Sequence, residues 1–118
     1  FCPDLSLYTV LDALDTAVNV FGKNRVSSNL IIGLGESDEN VRKGIKLLTS
    51  RCIIPILRPI SPHPLRKDVK ITRPDAARLL KLGSMLKDML DHESLCVDKS
   101  RTMCLFCTGC DLTPHKDI

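Results

Sequence analysis

The chain has 118 residues and a formal net charge of +3, from 17 Lys and Arg against 14 Asp and Glu. Its 43% hydrophobic and 26% charged residues give an ordinary globular balance, which excludes a wholly disordered chain. With 3% aromatic residues and no Trp there is no stacking platform for single-stranded nucleic acid, so small a dispersed charge is no nucleic-acid footprint, and no apolar run reaches the roughly 20 residues of a membrane span.

The opening Phe1-Cys2-Pro3-Asp4 has neither a basic n-region nor an initiator Met. It reads as no signal peptide, and as the start of a chain missing its natural beginning. From Ser6 to Phe21, residues Leu7, Val10, Leu11, Leu14, Ala17, Val18 and Phe21 recur at helical spacing and predict an amphipathic helix. Ser6 is its expected N-cap and Gly22 its expected C′ residue. Residues 25–32 are short, β-rich and closed by Gly33-Leu34-Gly35, as a buried strand would be. The free amides after that strand are expected to be able to meet an anion, the alternative being a tight turn with no ligand. Ser37 caps a second expected helix, Asp38 to Thr49, with Val41, Ile45 and Leu48 inward.

A second strand is expected over 52–57, weakened by Pro55 and broken at Arg58-Pro59. An extended basic loop is expected over 58–72, with His63, Arg66 and Lys67. Arg58, which abuts the strand end, is the loop residue best suited to a substrate carboxylate, the alternative for all four being a solvated basic loop. The spacing then predicts a third helix capped by Thr72 and running to Asp91, with Ala76, Leu79, Leu82, Leu86, Met89 and Leu90 inward. His92 favours its C-terminus electrostatically. Alternating strands and helices argue for an α/β fold of parallel βαβ units. Two parallel strands rarely stand alone, so further strands are expected to precede Phe1.

Six cysteines are present, and Cys96, Cys104, Cys107 and Cys110 fall within 15 residues of one another. This clustering behind a well-patterned chain reads as a metal or cluster site in a reducing, cytoplasmic compartment, with three disulfides as a lesser reading. Cys104, Cys107 and Cys110 have the spacing of the first three ligands of a ferredoxin-type [4Fe–4S] run. The fourth ferredoxin position is Pro114. Cys96 is the expected fourth ligand, with Asp111, His115 and Cys2 as further candidates. Zinc held by four cysteines, or by three and a histidine, is the alternative. Cys52 reads as a small core residue.

The Gly33-Leu34-Gly35-Glu36-Ser37 turn, the following helix, and the strand ending in Pro55-Ile56-Leu57-Arg58-Pro59 together resemble the radical S-adenosylmethionine (radical SAM) enzymes, in particular their biotin-synthase-like branch. The family pattern Gly-x-Ile-x-Gly-x-x-Glu falls on Asn29, Ile31, Gly33 and Glu36, with Asn29 in place of the first glycine. The resemblance covers about residues 5 to 90. It implies a partial parallel (β/α) barrel, the C-terminal βα units of a TIM-like barrel, over residues 1–91, with residues 92–118 as an irregular metal-binding tail.

By the same resemblance, Ile31 would contact adenine, Gly33 and Glu36 would hold the turn, and the backbone at Leu57 and Arg58 would line the pocket. The implied enzyme reductively cleaves S-adenosylmethionine and abstracts hydrogen from a small-molecule substrate. A ferredoxin or flavodoxin would supply electrons, and the tail would carry an auxiliary cluster. The family's Cys-x3-Cys-x2-Cys motif is absent, so these 118 residues alone are expected to be inactive. The alternative is a non-catalytic, zinc-stabilised α/β module or subunit.

Overall fold

A computed structural model describes residues 6–61, 73–101, 105, 107 and 112–118. Three helices and two strands follow one another as α1 (Leu7–Phe21), β1 (Ser27–Ile32), α2 (Asp38–Thr49), β2 (Ile54–Pro59) and α3 (Ala76–His92), with a short 3₁₀ turn over Val97–Lys99. The caps act as their side chains allow. Ser6 accepts the Thr9 amide at 3.1 Å and Ser37 the Asn40 amide at 3.2 Å. Gly22, at φ 93, ends α1 with its amide on the Val18 carbonyl.

Helix α3 starts later than its sequence spacing predicts. Its cap is Asp75, whose Oδ1 accepts the Arg78 amide at 2.7 Å, and not Thr72. Pro74 is the reason: it holds Arg73 out of the helical region, so the first turn begins beyond it. Ala76 is consequently exposed. In α1, Leu11 is buried whereas Leu7 and Phe21 are more than half exposed, so the expected apolar stripe is covered only along its middle.

The strands run parallel, with Asn29 opposite Ile56 and Ile31 opposite Arg58. β2 continues through Arg58 and Pro59 instead of breaking there, and the Ile60 amide still reaches the Ile32 carbonyl at 2.8 Å. Pro55 is tolerated because, among the described residues, β2 pairs with one strand, β1. The (β/α) half-barrel expected above does not form among the described residues: the molecule is a small α/β domain with a two-stranded sheet. The physical reason lies in how β2 is covered. Ile54, Pro55, Ile56 and Leu57 are buried with no strand other than β1 beside them among the described residues. Ile54, Ile56 and Leu57 share one core with Ile45 of α2 and Leu82, Leu86 and Leu90 of α3, and Leu95, Val97 and Leu105 join it. Leu105, Leu112, Thr113 and Pro114 line a small cavity with Pro55, Ile56 and Leu57.

A smaller cluster seats α1. Leu11 packs with Val26, Leu48 and Ile53, and Leu14 and Val18 cover it. Arg51, in the turn after α2, is ion-paired with Asp15 of α1. Among the described residues no helix is long and apolar enough to cross a membrane.

Candidate functional site

The two parallel strands end side by side, Ile32 opposite Pro59, and the glycine turn begins at that edge. Open α/β sheets bind their ligands outside the carboxyl ends of the strands. Gly33 (φ 117) and Gly35 (φ 94) adopt backbone angles that side chains rarely accept. Together they fold the turn tightly enough for Glu36 to reach back over it. Its Oε1 accepts the Gly33 amide at 2.7 Å and its Oε2 the Leu34 amide at 2.8 Å. These amides therefore face a carboxylate of their own chain, and the expected opening for an external anion at this turn is closed.

Arg78 of α3 fastens the turn from outside. Its Nη2 donates to the Glu36 carbonyl at 3.0 Å and to Glu36 Oε1 at 3.3 Å, while Nε donates to Asp38 Oδ1 at 2.9 Å. Lys81 Nζ adds a bond to Asp38 Oδ2 at 3.0 Å. Burial raises the Glu36 pKa, but the Gly33 and Leu34 amides and the Arg78 charge outweigh it, and the carboxyl lies below its ordinary value. Asp38 is lowered by its bonds from Arg78 and Lys81. Arg78 is raised by its bond to Asp38. Nothing in the sequence singles out Arg78. It sits 42 residues from Glu36, and only the packing of α3 beside α2 brings them together.

The predicted adenosine-site residues divide by face. Leu30 and Ile32 turn toward the packed side, and the Leu30 side chain lies beside Gly44 of α2. Asn29 and Ile31 alternate to the opposite side and are exposed, Ile31 at 46%. Leu57 is buried in the core, so only its backbone is open to a role at the edge. Arg58 is half-buried beside Ile31. His63, Arg66 and Lys67 lie outside the described residues.

Of the cysteines, Cys52, Cys96 and Cys107 are free thiols. Cys52 occupies the α2–β2 turn at φ 65 and packs against the core. The Cys96 amide donates to Asn24 Oδ1 at 2.7 Å. Asn24 is itself buried in a left-handed turn at φ 71, a long-range tie that sequence reasoning missed. Cys107 is exposed. Cys2, Cys104, Cys110 and Asp111 lie outside the described residues. His115 is bonded to Asp91 of α3, Nε2 to Oδ1, at 2.7 Å. Among the described residues no group of three or more His, Cys, Asp and Glu is placed to hold a metal ion.

No family model matches the chain, and neither does any curated protein or solved structure.

Proposed function

We propose that the chain is part of a radical SAM enzyme, in which the shared end of β1 and β2 contributes to the adenosyl site and the cysteine-rich tail carries an auxiliary iron–sulfur cluster. The observation that carries this reading is the locked glycine turn beside the open face of β1. Ile31 stands exposed there, next to a turn held rigid by Glu36, so an apolar surface meets fixed backbone at a strand end. A flat heteroaromatic ring fits such a surface, and the backbone at Leu57 and Arg58 lies across the same edge. Asn29 occupies the same face two residues earlier. Glu36 serves the turn and not the ligand, because both its oxygens are engaged.

S-adenosylmethionine, with a cluster bound elsewhere in the enzyme, would supply the hydrogen-abstracting chemistry on a small substrate. This chain's own part is to bind and orient the adenosyl group. Cys104, Cys107 and Cys110 would hold the auxiliary cluster by their spacing, and thiolates of this kind suit a reducing, cytoplasmic setting. Lys23, Arg25, Lys99 and Arg101 line one cleft with Asp98, a cationic face suited to an acidic electron carrier such as a ferredoxin or flavodoxin.

Titration calorimetry with S-adenosylmethionine tests the nucleoside site. Ile31→Asp removes the apolar contact without disturbing the buried core. It is expected to weaken binding about 10-fold or more, from the ~1.5–3 kcal/mol of a buried Ile side chain. Equal affinity in the wild type and the variant, or no binding by either, would refute the adenosyl site.

A further inference from the structure

We infer that a cleft at the opposite end of the sheet from the glycine turn binds a small oligophosphate. Lys23, Asn24 and Arg25 form one wall of it, and Lys99 and Arg101 the other. The inference is independent of the adenosyl site and of the tail's cluster.

The chain's charge is dispersed along its sequence, but folding gathers it. Lys23 and Arg25 lie in the turn between α1 and β1, whereas Lys99 ends the 3₁₀ turn and Arg101 follows it. The four line one cleft of about 380 Å³ together with Asn24, Asp98 and Ser100. Four cations against one acid leave a charge of +3 there, equal to the formal net charge of the whole chain, so the remaining charges cancel. None of the four has an ion-pair partner among the described residues, Asp98 included.

Asn24 joins the two walls. It is 9% exposed, sits in a left-handed turn at φ 71, and accepts the Cys96 amide through Oδ1 at 2.7 Å, across 72 residues of chain. Only the amide oxygen can accept that hydrogen, which settles the side chain's orientation. Its Nδ2 hydrogens have no acceptor among the described residues. Nδ2 is therefore the donor that this buried side chain offers to the cleft it lines. The second wall is equally fixed: the Lys99 amide reaches the Cys96 carbonyl at 3.3 Å and the Ser100 amide the Val97 carbonyl at 2.9 Å.

The donor set selects the ligand. One amide, two ammonium and two guanidinium groups offer hydrogens, so an anion fits. The planar fork of arginine matches pairs of phosphate oxygens, and lysine meets the same group as a point charge. A single phosphate, with a charge of about −1.5 to −2, leaves part of this cluster unmatched, whereas linked phosphates span both walls. No aromatic side chain lines the cleft, so a nucleobase has nothing to stack on. An acidic protein surface meets the exposed tips of the same cations but is too broad to reach Asn24 between them. The six residues of β1 place the cleft roughly 20 Å from the glycine turn, so this ion and the adenosyl group do not compete.

Equilibrium dialysis of the full chain against inorganic tripolyphosphate tests the site, and one ion per chain is expected. Arg25→Gln/Arg101→Gln removes two exposed side chains and is expected to weaken binding about 100-fold, roughly 10-fold for each charge-assisted contact. Lys43→Gln/Lys87→Gln takes the same charge from α2 and α3 and is expected to keep the wild-type affinity. Asn24→Asp still accepts the Cys96 amide and tolerates the left-handed turn, but it presents a carboxylate to the ion. It is expected to abolish binding with the circular dichroism unchanged, and if it does not fold the arginine pair decides. Equal weakening in the two double variants would reduce the effect to general charge attraction and overturn the site. So would a wild type that binds polyglutamate but not tripolyphosphate, which would make the cleft a protein-docking face only, or one that binds neither.

Discussion

Glu36 shows how much one side chain can organise. A glycine turn with two positive-φ residues has little stiffness of its own, and the carboxylate supplies it by bonding two successive amides. Replacing Glu36 with Gln leaves one acceptor oxygen and points an N–H₂ group at the other amide. We expect Glu36→Gln to lower stability by about 1–3 kcal/mol at pH 7, measured by urea denaturation. The pH dependence follows from the lowered carboxyl pKa. Stability from a depressed carboxylate is fully present above its unfolded value, about 4.3, and is lost as pH falls through the lower folded value. The gap between wild type and Glu36→Gln should therefore be constant at neutral pH and shrink below about pH 4. A gap that persisted at pH 3 would mean the carboxylate charge contributes nothing to the turn.

Segments that follow local rules match their sequence patterns. The cap and inward residues of α2 are the expected ones, because Ser37, Val41, Ile45 and Leu48 obey spacing that needs no distant partner. Where a neighbouring element intervened, the patterns misled. β2 runs on through Arg58 and Pro59 because β1 is there to pair with them. α2 also carries a helix-weakening Gly44, and the space beside it is measurable. A methyl group there would stand 3.6 Å from the Leu30 methyl carbons, an ordinary packing contact. Gly44→Ala should thus gain most of the propensity difference, about 0.5–1 kcal/mol, and raise the thermal midpoint. A lower midpoint would show that Leu30 cannot accommodate the added carbon.

Across the whole molecule, the core joins elements far apart in the chain. Leu95, Val97 and Leu105 lie beyond α3, yet they belong to the same core as Ile54 and Ile45. The stretch after α3 is therefore part of what stabilises the sheet. Leu95→Ala, at a site 2% exposed, is expected to cost about 2–5 kcal/mol of global stability. Fluorescence or circular dichroism should show one transition moved as a unit. If the sheet unfolded at its original denaturant concentration while a separate early transition appeared, residues beyond α3 would be an independent unit.

By itself, the sequence determined where helices and strands arise, the caps at Ser6 and Ser37, and the glycine turn, because each depends on spacing or side-chain chemistry within a few residues. It also marked Glu36 as a residue of that turn. Only the tertiary structure decided that Arg78 clamps the turn, that Asn24 holds Cys96, and that Asp91 fixes the His115 ring. These contacts join residues 42, 72 and 24 positions apart, and no local period encodes them. The absence of a half-barrel among the described residues has the same origin. Helices and the residues after α3 can bury a parallel strand as well as further strands can, and the choice is made by packing across the whole chain.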